Sequence, residues 1–308
     1  MKRKILAAMD GSEQAINAVR YISRIFPAQN TQVVLIHVRE EVPEAFLDLR
    51  RDPGFRASVA PVSAWATQMK QNIKKSMTEA KAVLTDAGFP PESVDIKIQA
   101  KRVGIARDIL KESHDGYNLV VAGRTGVSGI KDVMMGSVAT KLVGRLPHIP
   151  VVTVGGSPDS KKILIGFDGS RGAMNAVDCI GKLMGDTDCE VTLCHVIRPM
   201  GIHLGFMKLF NPEQEADWTT ANRAEVEPAL SEAVTRLKNA GFSAGRISTE
   251  IVANKISRAS AITHKAEEEG YGTVVVGRRG LTAVEEFIMG RVSTKILNMA
   301  SKMAVWIV

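Results

Sequence analysis

Glycines and one serine occur in this sequence at a spacing that suits phosphate binding. Gly123 and Gly126 enclose an arginine and a threonine after a strand-like segment, and nine further residues lead to Gly136-Ser137. Glycine lets backbone amides approach an anion closely, and the N-terminus of a helix adds unpaired amides and a positive dipole end. The spacing therefore predicts a polyphosphate cradle. Tight turns with Ser137 as a helix N-cap are the alternative explanation.

Other candidate groups lie where predicted strands end. Asp10 and Asp168 follow the first strand of each half of the chain, and Val38 and Val196 close the second strand. A second glycine turn, Gly277-Arg-Arg-Gly280, follows the later counterpart of the fourth strand. Ligands of open parallel sheets bind at the carboxyl ends of strands, near the point where the strand order reverses. We therefore expect these groups to meet at that edge.

The elements that must position these residues alternate between strand and helix. Predicted strands of the first half are Lys4–Met9, Gln32–Val38, Val94–Gln99, Leu119–Ala122 and Val151–Val154. Predicted helices are Glu13–Ile25, Ala64–Ala87, Ile105–Ser113 and Ser137–Leu146. Short aliphatic strands joined by helices indicate right-handed βαβ crossovers and a doubly wound parallel sheet.

The two halves of the chain repeat one another. Lys4–Ser12 (KILAAMDGS) reappears as Lys162–Ser170 (KILIGFDGS), and Met135–Lys141 (MGSVATK) reappears as Met289–Lys295 (MGRVSTK). Matching motifs in the same order indicate a duplicated domain. The sequence thus predicts two tandem α/β domains of Rossmann-like type.

The predicted domains span residues 1–155 and 161–308, with 156–160 as the linker. Because this Gly/Ser/Pro-bearing linker is short, we expect the two domains to pack against each other rather than move freely.

Composition limits the functional classes. The net charge of +7 lies wholly in the first half, where 22 basic residues oppose 15 acidic ones, against 18 and 18 in the second. The basic residues are scattered, with no nucleic-acid motif, so an anionic small ligand or solubility explains them better than nucleic acid does. No apolar run is long enough for a membrane span. Three cysteines without paired spacing and no signal-peptide core predict a cytoplasmic protein.

Taken together, five motifs in order resemble the universal stress protein family: Asp10-Gly-Ser12, His37-Val38, Gly123-Arg-Thr-Gly126, the nine-residue spacer and Gly136-Ser-Val138. The resemblance covers essentially the whole chain, in the layout of the tandem members, whose fold is called adenine nucleotide alpha hydrolase-like. It implies cytoplasmic stress-response proteins, many of which bind ATP and dimerise through the last strand. Members that bind ATP keep Gly-x2-Gly-x9-Gly-Ser/Thr, as the first domain does.

The resemblance also implies a role for each matching residue of the first domain. Asp10 would lie beside the adenosine, and the backbone of Val38 would meet the adenine. A wall for ribose and phosphate would come from Ala122, Gly123 and Gly126, and the phosphates would be held by Gly136, Ser137, Val138 and Ala139. The ligand would be ATP with Mg²⁺, or AMP or ADP. Arg124 and Lys131 either add positive charge there or are solvated surface residues.

The second domain departs from the pattern at one position, where Arg291 replaces the serine. The corresponding candidate residues are Asp168, Val196, Val276, Gly277, Gly280, Gly290, Arg291, Val292 and Ser293. An arginine can bind phosphate as a fork of donors. Equally, it can fill the pocket and pair with Glu286 of the spacer, which also carries Glu285. We predict an altered or degraded second site.

Three functions remain open on the sequence: an ATP-dependent sensor or switch, a slow ATPase using the same pocket, and an interaction protein that needs no nucleotide. The absence of a Walker A lysine and of a nucleophile elbow argues against other NTPase and hydrolase classes. His37 and His195 are interpreted as structural, and no histidine has metal-ligand spacing. The apolar segment Pro199–Pro212 is a partner surface, a ligand pocket or an extension of the core.

Overall fold

Ten short strands form one continuous sheet. The computed structural model describes residues 2–40, 56–126, 135–200, 210–280 and 289–308. The strands are β1 Arg3–Ala8, β2 Thr31–Arg39, β3 Val94–Ala100, β4 Leu119–Gly123, β5 Val151–Val154, β6 Lys162–Gly166, β7 Glu190–Val196, β8 Ile247–Val252, β9 Thr273–Val276 and β10 Ala304–Ile307. Central strands such as β4 and β9 are buried along almost their whole length, as parallel strands covered on both faces must be.

Eight α-helices of the described part of the chain cover the sheet. They are α1 Glu13–Ile25, α2 Arg56–Asp86, α3 Ile105–Glu112, α4 Ser137–Arg145, α5 Arg171–Met184, α6 Pro212–Asn239, α7 Arg258–Glu268 and α8 Arg291–Met299. The first strands and helices agree with the sequence prediction to within one or two residues, except at the start of α2. That helix begins at Arg56 rather than Ala64. Its side chains are described from residue 64 onward; residues 64–75 are largely exposed, and Met77 is the first buried residue of that described part. The prediction followed regular apolar spacing and therefore missed residues 56–63 of the helix.

Each half of the sheet has the strand order expected of a doubly wound domain. The full order is β3-β2-β1-β4-β5-β10-β9-β6-β7-β8. Within each half every neighbouring pair is parallel, as in β1–β2 and β6–β9. The structure therefore confirms an α/β fold of two tandem Rossmann-like domains.

The two halves join through their last strands. β5 and β10 pair antiparallel, with Val152 opposite Trp306 and Val154 opposite Ala304. The outer edges of the described sheet are consequently β3 and β8, at opposite ends. Strands that pair within one chain are not available to pair with a second copy.

A continuous apolar core on each face of the sheet crosses the domain boundary. One core contains side chains of α1, α2, α5 and α6, and the other contains side chains of α3, α4, α7 and α8. At the boundary, the indole Nε1 of Trp306 donates to the Tyr21 hydroxyl at 2.7 Å, and that hydroxyl bonds Thr273 Oγ1 at 2.9 Å. Phe26 stacks on the same indole, with centroids 6.1 Å apart. Buried aromatic contacts thus join the two domains.

Candidate functional site

The predicted site lies where the strand order of the first domain reverses. The chain runs from β1 outward to β2 and β3 and then returns to β4 on the other side of β1. Ala8 pairs with Ile36 of β2 and with Ala122 of β4. Asp10 therefore leaves the sheet between the carboxyl ends of β2 and β4, which is the crevice where such sheets bind ligands.

A tight turn orients the Asp10 carboxylate. Gly11 has a φ of +84°, a backbone conformation that residues with side chains rarely adopt. Ser12 then caps α1, because its Oγ accepts from the Ala15 amide at 3.2 Å. The Ser12 amide and hydroxyl both donate to Asp10 Oδ1, at 2.9 and 2.6 Å. The sequence analysis did not assign Ser12 this role, although its recurrence as Ser170 was a signal for it.

The structure brings together predicted site residues that are far apart in sequence. A Cβ atom placed on Gly126 would lie 2.6 Å from Asp10 Oδ2, so the carboxylate rests against the glycine turn. The Gly136 amide donates to the Arg124 carbonyl at 2.8 Å, and a Cβ on Gly136 would lie 3.5 Å from the Gly126 nitrogen. Asp10, Gly126 and Gly136 are therefore neighbours around one crevice.

The structure at the start of α4 disagrees with the alternative explanation of Gly136-Ser137, in which Ser137 caps the helix. The N-cap is Gly136, in an extended conformation, and Ser137 is the first helical residue. The prediction of Ser137 as an N-cap is therefore wrong. The first intrahelical bond of this turn joins the Thr140 amide to the Gly136 carbonyl at 2.9 Å. The amides of Ser137, Val138 and Ala139 precede it and have no acceptor within the helix.

The remaining predicted residues of the first domain line the ends of the strands. Val38 and Ala122 are buried at the ends of β2 and β4, and Ala139 is buried in the first turn of α4. A Cβ on Gly123 would lie 2.9 Å from the Gln14 carbonyl carbon, so this glycine lets α1 approach β4 closely. Gly123 thus has a packing function whether or not a ligand is bound.

The Arg124 side chain differs from both predictions for it. It is 2% exposed, so it is not a solvated surface residue. Its guanidinium points away from the crevice and donates to the Leu297 carbonyl and, at 2.8 Å, to the Asn298 carbonyl of α8 in the other domain. Burial lowers its pKa. Lys131, the other predicted cation, lies outside the described residues.

A basic pocket opens beside the first turn of α4. Its volume is about 320 Å³, and Ser137 and Val138 form part of its wall. The charged residues that line it are Glu40, Lys101, Arg107, Lys141 and Arg145. Lys101 pairs with Glu40 at 2.6 Å. The other three cations are exposed and have no ion pair with any residue in the described ranges, so the pocket carries an excess of positive charge next to the helix N-terminus.

The second domain repeats the backbone of the site. A Cβ on Gly280 would lie 2.5 Å from Asp168 Oδ2, and the Gly290 amide donates to the Arg278 carbonyl at 2.6 Å. Asp168 Oδ1 accepts from the Ser170 amide at 3.1 Å. Val196 and Val276 are buried at their strand ends, as Val38 and Ala122 are.

The side chains at the start of α8 differ from those of α4. Arg291 is exposed at the first helical position, next to half-buried Val292, and Ser293 Oγ donates to the Gly277 carbonyl at 2.7 Å. That hydroxyl is therefore used within the protein. Ala261 and Met299 occupy the positions that correspond to Arg107 and Arg145, 154 residues later, so two cations of the basic pocket are missing. Glu285 and Glu286 lie outside the described residues.

Histidines at the end of the second strand of each domain are structural, as the sequence analysis interpreted them. His37 Nδ1 lies 2.8 Å from the Met9 carbonyl, and His195 Nδ1 lies 2.9 Å from the Phe167 carbonyl. Because a carbonyl oxygen only accepts, each Nδ1 carries the proton. Burial lowers the pKa of His195, which favours this neutral form. These bonds hold the chain just before Asp10 and Asp168.

Two further searches cover only the described part of the chain. In it, no group of three or more histidine, cysteine, aspartate or glutamate side chains is arranged to hold a metal ion. None of the helices described there is long and apolar enough to cross a membrane. The apolar segment around residues 199–212 lies largely outside the described residues.

Comparison with known proteins agrees with the repeat. The model of the universal stress protein family matches residues 1–155 and again residues 159–308. The universal stress protein YxiE of Bacillus subtilis is 27% identical over 168 residues, covering 50% of this chain and 99% of that protein. The universal stress protein MJ0577 of Methanocaldococcus jannaschii is 26% identical over 161 residues, covering 50% of this chain and 95% of its own.

A solved structure supports the same fold along the whole chain. A universal stress protein from Archaeoglobus fulgidus superposes with a TM-score of 0.63 at 18% identity, covering 99% of this chain and 97% of that one. The two matches to the family model fall on the two halves of the ten-stranded sheet. The chain belongs to the universal stress protein family, as a tandem member with two copies of the domain.

Proposed function

We propose that this protein binds ATP in its first domain and acts as a nucleotide-dependent sensor or switch in the stress response. One observation carries the proposal. Asp10, the Gly126 turn and the amides at the start of α4, which have no acceptor within the helix, surround a single crevice at the point of strand reversal. A crevice of that kind combines amide donors for phosphate with a carboxylate for a sugar hydroxyl.

In this proposal each group has a chemical role. The Asp10 carboxylate, oriented by Ser12, accepts a hydrogen bond from the ribose, and the backbone at Val38 meets the adenine. The amides of Ser137, Val138 and Ala139 donate to the phosphates, together with the Ser137 hydroxyl. Mg²⁺ would be held chiefly by the phosphate oxygens, as it usually is in nucleotide sites, with Asp10 as the nearby carboxylate.

The basic pocket favours a triphosphate over AMP. Phosphates that extend beyond the first turn of α4 would enter the field of Arg107, Lys141 and Arg145. Each added phosphate then gains attraction that a monophosphate lacks. ADP and AMP are expected to bind in the same orientation with lower affinity.

One nucleotide per chain is the expected stoichiometry. The second domain keeps the glycine geometry, yet Arg291 adds positive charge at the positive end of α8 in place of a hydroxyl donor, and the basic pocket is depleted there. Isothermal calorimetry with ATP and Mg²⁺ on the whole chain measures the number directly. Two sites of similar affinity would show that Arg291 supports binding, and no heat at millimolar ATP would leave the nucleotide-independent interaction protein.

Replacing Ser137 with alanine is expected to weaken ATP binding without weakening the helix. Because Gly136 is the cap, the serine hydroxyl makes no capping bond that would be lost. A hydrogen bond to a charged phosphate contributes about 1.5–3 kcal/mol, so the affinity should fall by roughly 10-fold to 100-fold. Calorimetry gives the affinity and thermal unfolding of the ligand-free variant gives its stability. An unchanged affinity would remove the hydroxyl from the site, and an equal loss of stability would make its effect structural.

Hydrolysis is a separate question from binding. Asp10 lies at the crevice, where both of the Ser12 donors hold it in an acceptor role, and Glu40 in the basic pocket is paired with Lys101. This arrangement suits binding better than proton abstraction. Phosphate release from ATP that exceeds the buffer blank, and that is lost in Ser137→Ala, would favour the slow ATPase instead.

The organisation of the whole protein is part of the proposal. Residues 1–155 and 161–308 act as paired domains joined by the linker 156–160, in the cytoplasm. Pairing of β5 with β10 inside one chain supplies the contact that a homodimer formed through last strands would supply between chains. A homodimer of this protein would therefore use another surface.

A further inference from the structure

The motif arginines of the two domains are exchanged across the interface. Arg124 and Arg278 occupy the same place in Gly-Arg-x-Gly, directly after β4 and β9. Arg124 reaches the carbonyls of Leu297 and Asn298 at the end of α8. Arg278 reaches the end of α4, donating to the Val143 carbonyl and, at 2.5 Å, to the Leu146 carbonyl. Each domain thus holds the last helix of the other.

These contacts lie where a helix needs them. The last carbonyls of a helix have no intrahelical donors, and they form the negative end of its dipole. Burial lowers the pKa of Arg278, as it does for Arg124, and neither guanidinium has a carboxylate partner among the described residues. Arg124 is buried and Arg278 is half-buried, and the hydrogen bonds of both guanidinium groups within the described chain go to carbonyl groups at helix ends. Such a desolvated fork of donors fixes position as well as charge.

We propose that Arg278 of the second domain is a positioning residue for the nucleotide site of the first. The inference rests on the proposed function. Arg278 touches no part of the crevice and binds the C-terminal end of α4, the helix whose other end presents the amides of Ser137, Val138 and Ala139. A helix of nine residues is about 14 Å long and rigid, so a contact that holds its C-terminal end also fixes the orientation of the amides at its N-terminal end. The second domain then contributes to ATP binding even though its own site is altered.

The coupling acts in both directions. If holding α4 in place favours nucleotide binding, a bound nucleotide strengthens the contact between α4 and Arg278 by the same factor. Arg278 belongs to the turn that carries Gly277 and Gly280. Its backbone carbonyl accepts a hydrogen bond from the Gly290 amide at the start of α8. Nucleotide binding in the first domain is therefore coupled, through Arg278, to the glycine turn of the second domain.

The test compares ATP with adenosine on the whole chain. Arg278→Met removes both donors with little change in length, and Arg278→Lys keeps the charge with a single donor group. Loss of a charge-assisted contact that orients α4 is expected to lower ATP affinity by about tenfold in Arg278→Met, with Arg278→Lys between this variant and the wild type. Adenosine affinity should change by less than about twofold, because adenosine meets Asp10 and Val38 rather than the α4 amides. Arg279→Met, at the adjacent position and with no ion pair in the described chain, is the matched control.

Distinct outcomes overturn the positioning role and the proposed function. Equal losses for ATP and adenosine in Arg278→Met would mean general loosening of the fold and would overturn the positioning role. So would an ATP affinity equal to that of the Arg279→Met control. If the wild type binds no ATP, the proposed function fails. Amide hydrogen exchange over residues 137–146 still tests whether Arg278 holds α4 in place. Faster exchange there in Arg278→Met than in Arg279→Met supports it, and equal exchange overturns it.

Discussion

Replacing Gly126 with alanine is expected to reduce ATP affinity by about 10-fold to 100-fold. The added Cβ would lie 2.6 Å from Asp10 Oδ2, closer than non-bonded atoms approach, so the carboxylate or the glycine turn must move. Overpacking of this kind costs about 1–3 kcal/mol, and each 1.4 kcal/mol is a factor of ten in affinity. Both groups that would move belong to the proposed site. Calorimetry with ATP on the purified variant measures the effect.

Two other glycines of the chain make this experiment specific. Gly280→Ala creates the same collision with Asp168 in the second domain, at 2.5 Å. If the first domain holds the nucleotide, affinity falls in Gly126→Ala and not in Gly280→Ala. The opposite result would place the nucleotide in the second domain. Gly144→Ala, in the interior of α4 where an added Cβ meets nothing within 4 Å, controls for the substitution itself and should bind like the wild type.

Removal of the Trp306 side chain is expected to destabilise the protein by about 3–5 kcal/mol, the usual cost of truncating a buried aromatic residue to alanine. The indole is fully buried in β10, opposite Val152 of β5. Its loss leaves a cavity and takes a hydrogen-bond partner from the Tyr21 hydroxyl, which burial already surrounds with apolar groups. Urea unfolding followed by circular dichroism gives the change in the free energy of unfolding.

The same variant also tests how far the two domains depend on each other. Tyr21 and Phe26 belong to the first domain and Trp306 to the second, so the damage falls on the contact between them. We expect the Trp306→Ala protein to unfold at lower urea, with the domains less strongly coupled. Trp65→Ala is the control, because that side chain is 61% exposed and its loss should change stability by no more than about 0.5 kcal/mol. A loss below about 1 kcal/mol in Trp306→Ala would contradict the shared core.

Much of the fold followed from local pattern. Strands such as Leu119–Ala122 are short aliphatic runs, and their composition predicts that they are buried. The repeat of KILAAMDGS as KILIGFDGS identified the duplication. The prediction failed at the start of α2, where Arg56 precedes the first residue with a regular apolar spacing. Regular apolar spacing is the signal that predicts a helix from a sequence, so helical residues outside that spacing were missed.

Part of the candidate site likewise followed from the sequence, and part only from the structure. The sequence determined that Asp10 and the glycine turn follow strand ends and that Gly136-Ser137 begins the next helix, and in a parallel sheet such strand ends share one edge. Their contact at Gly126 then follows from strand order. Only the backbone conformation showed which residue caps α4. Gly136 rather than Ser137 takes the extended conformation of an N-cap. A serine next to a glycine is compatible with either arrangement.

The direction of the motif arginines was decided only by the tertiary structure. In the sequence, Arg124 stands between two glycines of a phosphate motif, and its charge suggests a contact with phosphate. In the folded chain, β5 pairs with β10, and that pairing brings the end of α8 to Arg124 and the end of α4 to Arg278. The acceptors are backbone carbonyls, which carry no sequence signature because every residue has one. A partner that lies more than 130 residues away and is chosen by position alone becomes visible only when the two domains are assembled.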